Sequence, residues 1–358
     1  MKNKKENLEI RFLEEQDLPS LSTLYRAVFH VDKSERYWKW KFFQNPAGPH
    51  MLAAAIECES GRVVGTVGAI PIMIGINGRK VHGCQTCDIV IMPEYQKGGP
   101  FMKLHKLATS AIQQNSQLMY GFSIKKTLKI STRLLKFKNV MPIARQVRVL
   151  HPKHLILQKL PVPPLASLLG ATSLPLLKAY FSIPFSLPEG CKVTENPDFD
   201  QRYDSFAASL ADNFRLMVYK DSTYLNWRYK QCPDANYMIF AIENHEQVFG
   251  FTVIALVKEN DGEQRAYIME LLARPGSHDI TDCLLKKAVE FCYVNKVATM
   301  TIWPPENTKL RILLKKRGFF QKDTGHNLVI REHFDEVFDV ETTEPENWHI
   351  SLGDSDYH

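Results

Sequence analysis

Apolar and polar positions along the chain switch between two periods. "MLAAAIECESGRVVGTVGAI", from Met51, reads as an apolar run, a polar turn and a second apolar run, the pattern of two adjacent strands. "CDIVIMP" adds a β-branched run that stops at Pro93. The period then lengthens: Phe101, Leu104, Leu107, Ala108 and Ala111 share one face of a helix. The join "PEYQKGGP" carries Gly98 and Gly99, which permit backbone angles closed to other residues.

The same order returns later. "YWKWKFFQNP" at Tyr37 reappears as "YLNWRYKQCP" at Tyr224, 187 residues further on. Strand, turn and strand follow in "YMIFAIENHEQVFGFTVIAL", then "MELLARP", and then a helical stripe of Leu284, Leu285, Ala288 and Cys292. Aligning Pro275 with Pro93 sets Glu270 opposite Asp88, and Gly250 falls near Gly65. The pattern predicts a duplicated α/β (α+β) unit, each copy a mixed, mostly antiparallel central sheet flanked by helices. The expected domains are residues 1–150 and 198–358, joined by a Pro-rich apolar linker over 151–197. In the linker, Pro161, Pro163, Pro164, Pro175 and Pro184, with Lys178, interrupt any membrane-spanning helix. Trp40 and Trp227, repeated at fixed spacing, are expected in the core, locking the N-terminal helix of each unit onto its sheet.

Composition narrows the class. A chain of 358 residues exceeds one ordinary core, and a hydrophobic fraction of 44% describes a globular protein without integral membrane association. The start, "MKNKKENLEIRF", has no secretory pattern, and an odd count of seven cysteines fits a reducing compartment, so a cytoplasmic location is expected. Cys84 and Cys87 form a lone C-x-x-C with no second pair, so no metal is expected. The net charge of +6 is uneven: Gly121 to Leu150 holds eight Lys or Arg and no acid. Such a run suits a phosphorylated cofactor, and no nucleic-acid-binding module accompanies it. A homodimer is compatible with the sequence.

The glycine turn is the chemical centre of the pattern. First-turn amides of a helix lack intrahelical partners and point outward at the positive end of the dipole, so the turn suits phosphate groups. It matches neither the P-loop nor G-x-G-x-x-G. At these residues the sequence resembles the GNAT superfamily of acyl-CoA N-acyltransferases, in a tandem form with a degenerate second half. Gln96, Gly99 and Phe101 occupy the three positions of the cofactor signature, after "IVIMPEY"; Phe101 departs from the small residue usual there.

The resemblance implies that the segment Gln96, Lys97, Gly98, Gly99, Pro100, Phe101 and Met102 holds the pyrophosphate of acetyl-CoA through its backbone N–H groups, which Pro100 alone lacks. It implies that Ile89, Val90 and Ile91 splay from the neighbouring strand so that pantetheine pairs with the free edge. The second copy reads "GSHDITDCLL", where Asp279 and Asp282 would repel a diphosphate. The implied reaction is transfer of an acetyl group to a primary amine of a small molecule or amino sugar. Asp88, five residues before Pro93, is the candidate base, and Glu270 is its repeat counterpart, placed to face the amine if the two copies converge. Leu134 and Leu313 stand where many relatives carry an acidic tyrosine. Lys125, Lys126, Lys129 and Arg133 are candidates for the 3′-phosphate. Two other functions fit the same residues: a non-catalytic acyl-CoA- or metabolite-binding protein, and a FemAB-like aminoacyl transferase. The glycines beside Gln96 argue against the last.

Overall fold

A computed structural model describes residues 7–96, 100–151, 187–259, 261–306, 308–333 and 339–356. Lys97, Gly98 and Gly99, and the linker from 152 to 186, lie outside the described residues. The chain divides into two compact units, each discontinuous in sequence. The first comprises Met1–Met141, Thr223–Ala235 and Asn327–Thr343; the second comprises Pro142–Ser222, Asn236–His326 and Glu344–His358.

The first unit is built on four antiparallel strands in sequence order: β1 (Leu8–Phe12), β2 (Ala53–Glu57), β3 (Val63–Ile76) and β4 (Arg79–Ile91). β3 and β4 form the longest hairpin, closed by Asn77 and Gly78 at φ 46° and 78°. This two-residue turn matches the twist of its strands, and Asn-Gly is the pair that tolerates positive φ twice. β5 (Leu118–Ile124) then pairs with β4 in parallel. The crossover between them is α3 (Pro100–Asn115), which buries Leu104, Ala108 and Ile112 and leaves Phe101 and Leu107 half-buried. α1 (Leu18–Phe29) and α2 (Glu35–Phe43) precede the hairpin, and the Ser34 hydroxyl caps α2 by accepting from Tyr37 N at 3.0 Å.

The second unit repeats this ladder. β7 (Lys192–Glu195), β9 (Tyr237–Glu243), β10 (Val248–Lys258) and β11 (Gln264–Ala273) are antiparallel neighbours, and β12 (Thr299–Ile302) pairs with β11 in parallel. The crossover helix is α6 (His278–Val294), and its Leu284, Leu285, Ala288 and Cys292 join a core with Ile242, Ile254 and Ile268. Each ladder is therefore mixed and mostly antiparallel, as the periodicity predicts.

The boundaries follow pairing rather than the repeat. β6 (Lys138–Val149) lies antiparallel to β12 through Thr299↔Val149, so its later residues belong to the second unit. β13 (Phe320–Glu332) ends in the first unit, where Asn327 Nδ2 donates to Asn139 Oδ1 at 3.0 Å and Lys138 meets Glu332 at 2.5 Å. Further elements are α4 (Gln201–Ala211), the single-turn α5 (Ser222–Leu225), α7 (Thr308–Lys316) and the short parallel pair β8 (Leu216–Val218) with β14 (Trp348–His349).

The repeated tryptophans are buried in the core, as expected, but not each in its own unit. Both lie in the first unit, where their rings stack at 4.9 Å and 20°. Trp40 Nε1 donates to Trp227 O at 2.8 Å, and Trp227 Nε1 donates to Trp40 O at 3.2 Å. Each indole thus satisfies its own N–H on the other copy's backbone, instead of anchoring a helix to a separate sheet.

Candidate functional site

The β4–β5 pair is the focus of the first unit. Its described pairing covers Gly83↔Leu118, Cys84↔Met119 and Gln85↔Tyr120, and goes no further, although β4 runs on to Ile91 and β5 to Ile124. Where that pairing stops, the β3–β4 register slips: Thr66 faces Val90 and Gly68 faces Cys87, so Asp88 and Ile89 together oppose Val67. This is a β-bulge, which bends a strand and increases its twist. Asp88 takes φ 54° within it, and Thr66 Oγ1 fixes it by donating to Asp88 O at 2.6 Å. Gly121 of β5 permits the geometry from the other side, since a Cβ there would stand 2.1 Å from Thr86 Cγ2.

The result is a fork between two parallel strands, opening toward their C-terminal ends. Ile89 and Met102, Ile124, Ile130 and Leu134 after them, all remain exposed large apolar side chains. α3 begins at the same end, because a right-handed β–α–β crossover returns its helix N-terminus to the C-terminal end of the first strand. Val90 is buried, Ile91 half-buried, and Gln96 exposed with its Nε2 donating to Ile91 O at 3.2 Å. Pro100 is buried at the start of α3, and Phe101 packs toward His105 with centroids 6.0 Å apart. Lys125, Lys126, Lys129 and Arg133 are exposed on the turn and the segment leading into and through the π-helical turn (Ile130–Leu134) after β5.

The two carboxylates are placed differently from a solvent-facing base. The Asp88 side chain is 5% exposed; Lys41 Nζ lies 2.7 Å from its Oδ2, and Tyr25 Oη donates to its Oδ1. Burial alone would raise its pKa, but the Lys41 ammonium and hydrogen bonds from Cys87, Lys41 and Tyr25 outweigh it and hold the carboxylate below its usual range.

Glu270 is wholly buried in the second unit. Lys220 Nζ donates to Glu270 Oε1 and Oε2 at 2.6 and 2.7 Å, and to Asp354 Oδ1 at 2.5 Å. Burial lowers the Lys220 pKa, yet Asp354 and Glu270 raise it further, so the ammonium stays charged. Both Glu270 oxygens accept from Lys220, and the side chain is fully buried rather than facing solvent. Lys41, Tyr25, Lys220 and Asp354 are the partners that sequence reasoning missed. Lys41 sits inside the repeated aromatic element, but its counterpart there is Arg228, not Lys220.

The bulge also recurs in the second unit. Val253 faces Glu270 and Ile254 faces Ile268, leaving Met269 as the extra residue, and Thr252 Oγ1 donates to Glu270 O at 2.8 Å. β11 pairs with β12 only as far as Ile268↔Ile302. Among the described residues no group of three or more His, Cys, Asp or Glu could hold a metal ion, and no helix is long and apolar enough to cross a membrane.

Comparison with known proteins follows the same lines. Residues 9–127 match a family model described as acetyltransferase (GNAT) domain. Comparison with curated proteins finds no match. Among solved structures, a GCN5-related N-acetyltransferase from Anabaena variabilis is similar with a TM-score of 0.61 and 10% identity, over 91% of this chain and 73% of that one. N-myristoyltransferase of Saccharomyces cerevisiae with bound myristoyl-CoA is similar with a TM-score of 0.59 and 10% identity, over 95% of this chain and 84% of that one. A probable N-acyltransferase from Enterococcus faecalis gives a TM-score of 0.60 at 8% identity, over 91% and 72%. Residues 9–127 are thus similar to a GNAT acetyltransferase domain, and the chain shares its fold with these structures.

Proposed function

We propose that this protein is an acyl-CoA-dependent N-acyltransferase of tandem GNAT architecture that transfers an acetyl group to a primary amine of a small molecule or amino sugar. The observation that carries the reading is the fork: a bulge at Asp88–Ile89 beside a parallel pair whose described contacts end at Gln85↔Tyr120. Pantetheine lies along β4 at Ile89, Val90 and Ile91, and the diphosphate meets the segment from Gln96 to Met102. Lys125, Lys126, Lys129 and Arg133 supply positive charge near the cofactor. Holding thioester and amine together supplies much of the rate enhancement. In this reading Asp88 sets the bulge through Lys41 and Tyr25, and a water or another group removes the amine proton.

A longer acyl group is the second reading. It is favoured by the exposed apolar Ile89, Met102, Ile124, Ile130 and Leu134, all on β4, β5, α3 or the segment after β5. A thermal-shift series with acetyl-, octanoyl- and myristoyl-CoA tests both. A ligand bound only by the folded state raises the melting temperature by mass action. The largest shift identifies the preferred chain, and no shift with any of the three removes the proposal. Thiol release with a panel of amines then separates an enzyme from a binding protein.

A further inference from the structure

Tyr95 ends the short 3₁₀ turn (Pro93–Tyr95) that follows β4, and only 1% of it is exposed. Backbone hydrogen bonds tie this turn to the sheet and to Gln96. Met92 N donates to Val64 O of β3 at 2.9 Å, Tyr95 N to Met92 O at 2.9 Å, and Gln96 N to Pro93 O at 3.3 Å. Because β3 lies between β4 and β2, the Tyr95 side chain passes the start of β3 to reach the end of β2. There its Oη donates to Glu57 Oε1.

Glu57 is itself held from other sides. Ser60 Oγ donates to its Oε2 at 2.6 Å, and Arg62 Nε and Nη2 donate to Oε2 and Oε1 at 3.2 and 3.3 Å. Hydrogen bonds from Ser60, Tyr95 and Arg62 outweigh burial and bring the carboxylate down to about 2, so it is ionised at neutral pH. A phenol donating to a fixed carboxylate makes a charge-assisted bond, stronger than one between neutral groups. The turn beside Gln96 is therefore bolted to the hairpin of β2 and β3 by a side chain as well as by its backbone.

The second unit keeps one half of this arrangement. Glu243 ends β9 after Ala241 and Ile242, as Glu57 ends β2 after Ala55 and Ile56. Aligning Pro275 with Pro93 sets Ser277 opposite Tyr95. Serine brings no phenol to reach the carboxylate, and Glu243 Oε2 lies 3.1 Å from Arg202 Nη2 instead. The complete bolt belongs to the copy whose sequence carries the glycine pair, Gly98 and Gly99.

We infer that Tyr95 is a positioning residue for acyl-CoA: through Glu57 it fixes the place of Gln96, where the segment assigned to the diphosphate begins. The inference rests on the acyl-CoA reading proposed above. Tyr95 touches no ligand in it; the phenol keeps the turn in the conformer that binds, and a ligand loses apparent affinity in proportion as that conformer is depopulated.

The test is calorimetric titration of the full chain with acetyl-CoA and with S-acetylpantetheine, which lacks the diphosphate, below the onset of melting of each variant. Tyr95→Phe and Glu57→Ala are each expected to weaken acetyl-CoA at least about fivefold and S-acetylpantetheine less than about twofold. The double variant is expected to bind no worse than the weaker single one, because either change breaks the same contact. Undiminished acetyl-CoA affinity in the single variants, an equal loss for both ligands, or losses that multiply in the double variant overturns the inference and leaves the acyl-CoA reading standing. Absence of acetyl-CoA binding by the unaltered chain removes that reading, and this inference with it. Should Tyr95→Phe fail to fold, Glu57→Ala decides alone.

Discussion

Lys41 Nζ lies 2.7 Å from Asp88 Oδ2, and both side chains are 5% exposed. The pair joins the helix that carries the repeated aromatic element to the bulge that opens the fork. Removing one partner from a buried ion pair leaves an uncompensated charge, which costs about 3–5 kcal/mol. Asp88→Asn is therefore expected to lose about that much in urea denaturation at pH 7, and Lys41→Met with Asp88→Leu to recover most of it. A structural Asp88 predicts that turnover of Asp88→Asn falls only with its folded fraction. A deficit in fully folded protein would return the aspartate to the chemistry.

The same carboxylate sets an acid limit. Its folded pKa is depressed, so its contribution is complete above the unfolded value of about 3.9 and is lost as pH falls through the lower folded value. Histidines act higher. His50, His333 and His349 are held neutral by burial, each with a pKa lowered to about 4. The unfolded chain binds more protons than the native one between about pH 4 and about pH 6.5, so stability rises with pH across that window and then levels. Melting temperatures across the window test this, and His50→Asn is expected to flatten the slope.

Trp40 and Trp227 exchange hydrogen bonds, so their losses should not add. Each change to alanine is expected to cost about 3–5 kcal/mol. The double variant should fall short of the sum by about 0.5–1.5 kcal/mol, the coupling of a stacked aromatic pair. A double-mutant cycle in urea reads that difference, and strict additivity would show that the two rings act alone.

Gly121 and Thr86 set the width of the fork at its base. A Cβ on Gly121 would stand 2.1 Å from Thr86 Cγ2. Gly121→Ala is expected to destabilise by about 1–3 kcal/mol as an overpacked site and to reduce the acetyl-CoA thermal shift. Thr86→Ser removes the clashing methyl and should restore both in the double variant. Failure to restore either would place the strain elsewhere.

Local periodicity carried much of the architecture. The strand–turn–strand pattern and the helical stripes of α3 and α6 depend on neighbouring residues, and alternation or a 3.6 period reports them directly. Aligned prolines placed Asp88 and Glu270 at corresponding bulges, because a repeated backbone defect repeats its sequence setting. The glycine pair was legible as a candidate diphosphate-binding turn; Lys97 to Gly99 lie outside the described residues.

Partnership across long separations was not legible. Nothing local to Glu270 announces that Lys220, 50 positions earlier, will occupy both its oxygens, or that Lys41 rather than solvent will meet Asp88. The boundaries of the two units, the mutual stacking of the tryptophans and the unpaired ring of His349 also arise only when distant strands come together. Side-chain period reflects which face a residue takes, and this is encoded within a few positions. The charge or ring it meets there depends on packing, and packing is decided by the whole chain at once.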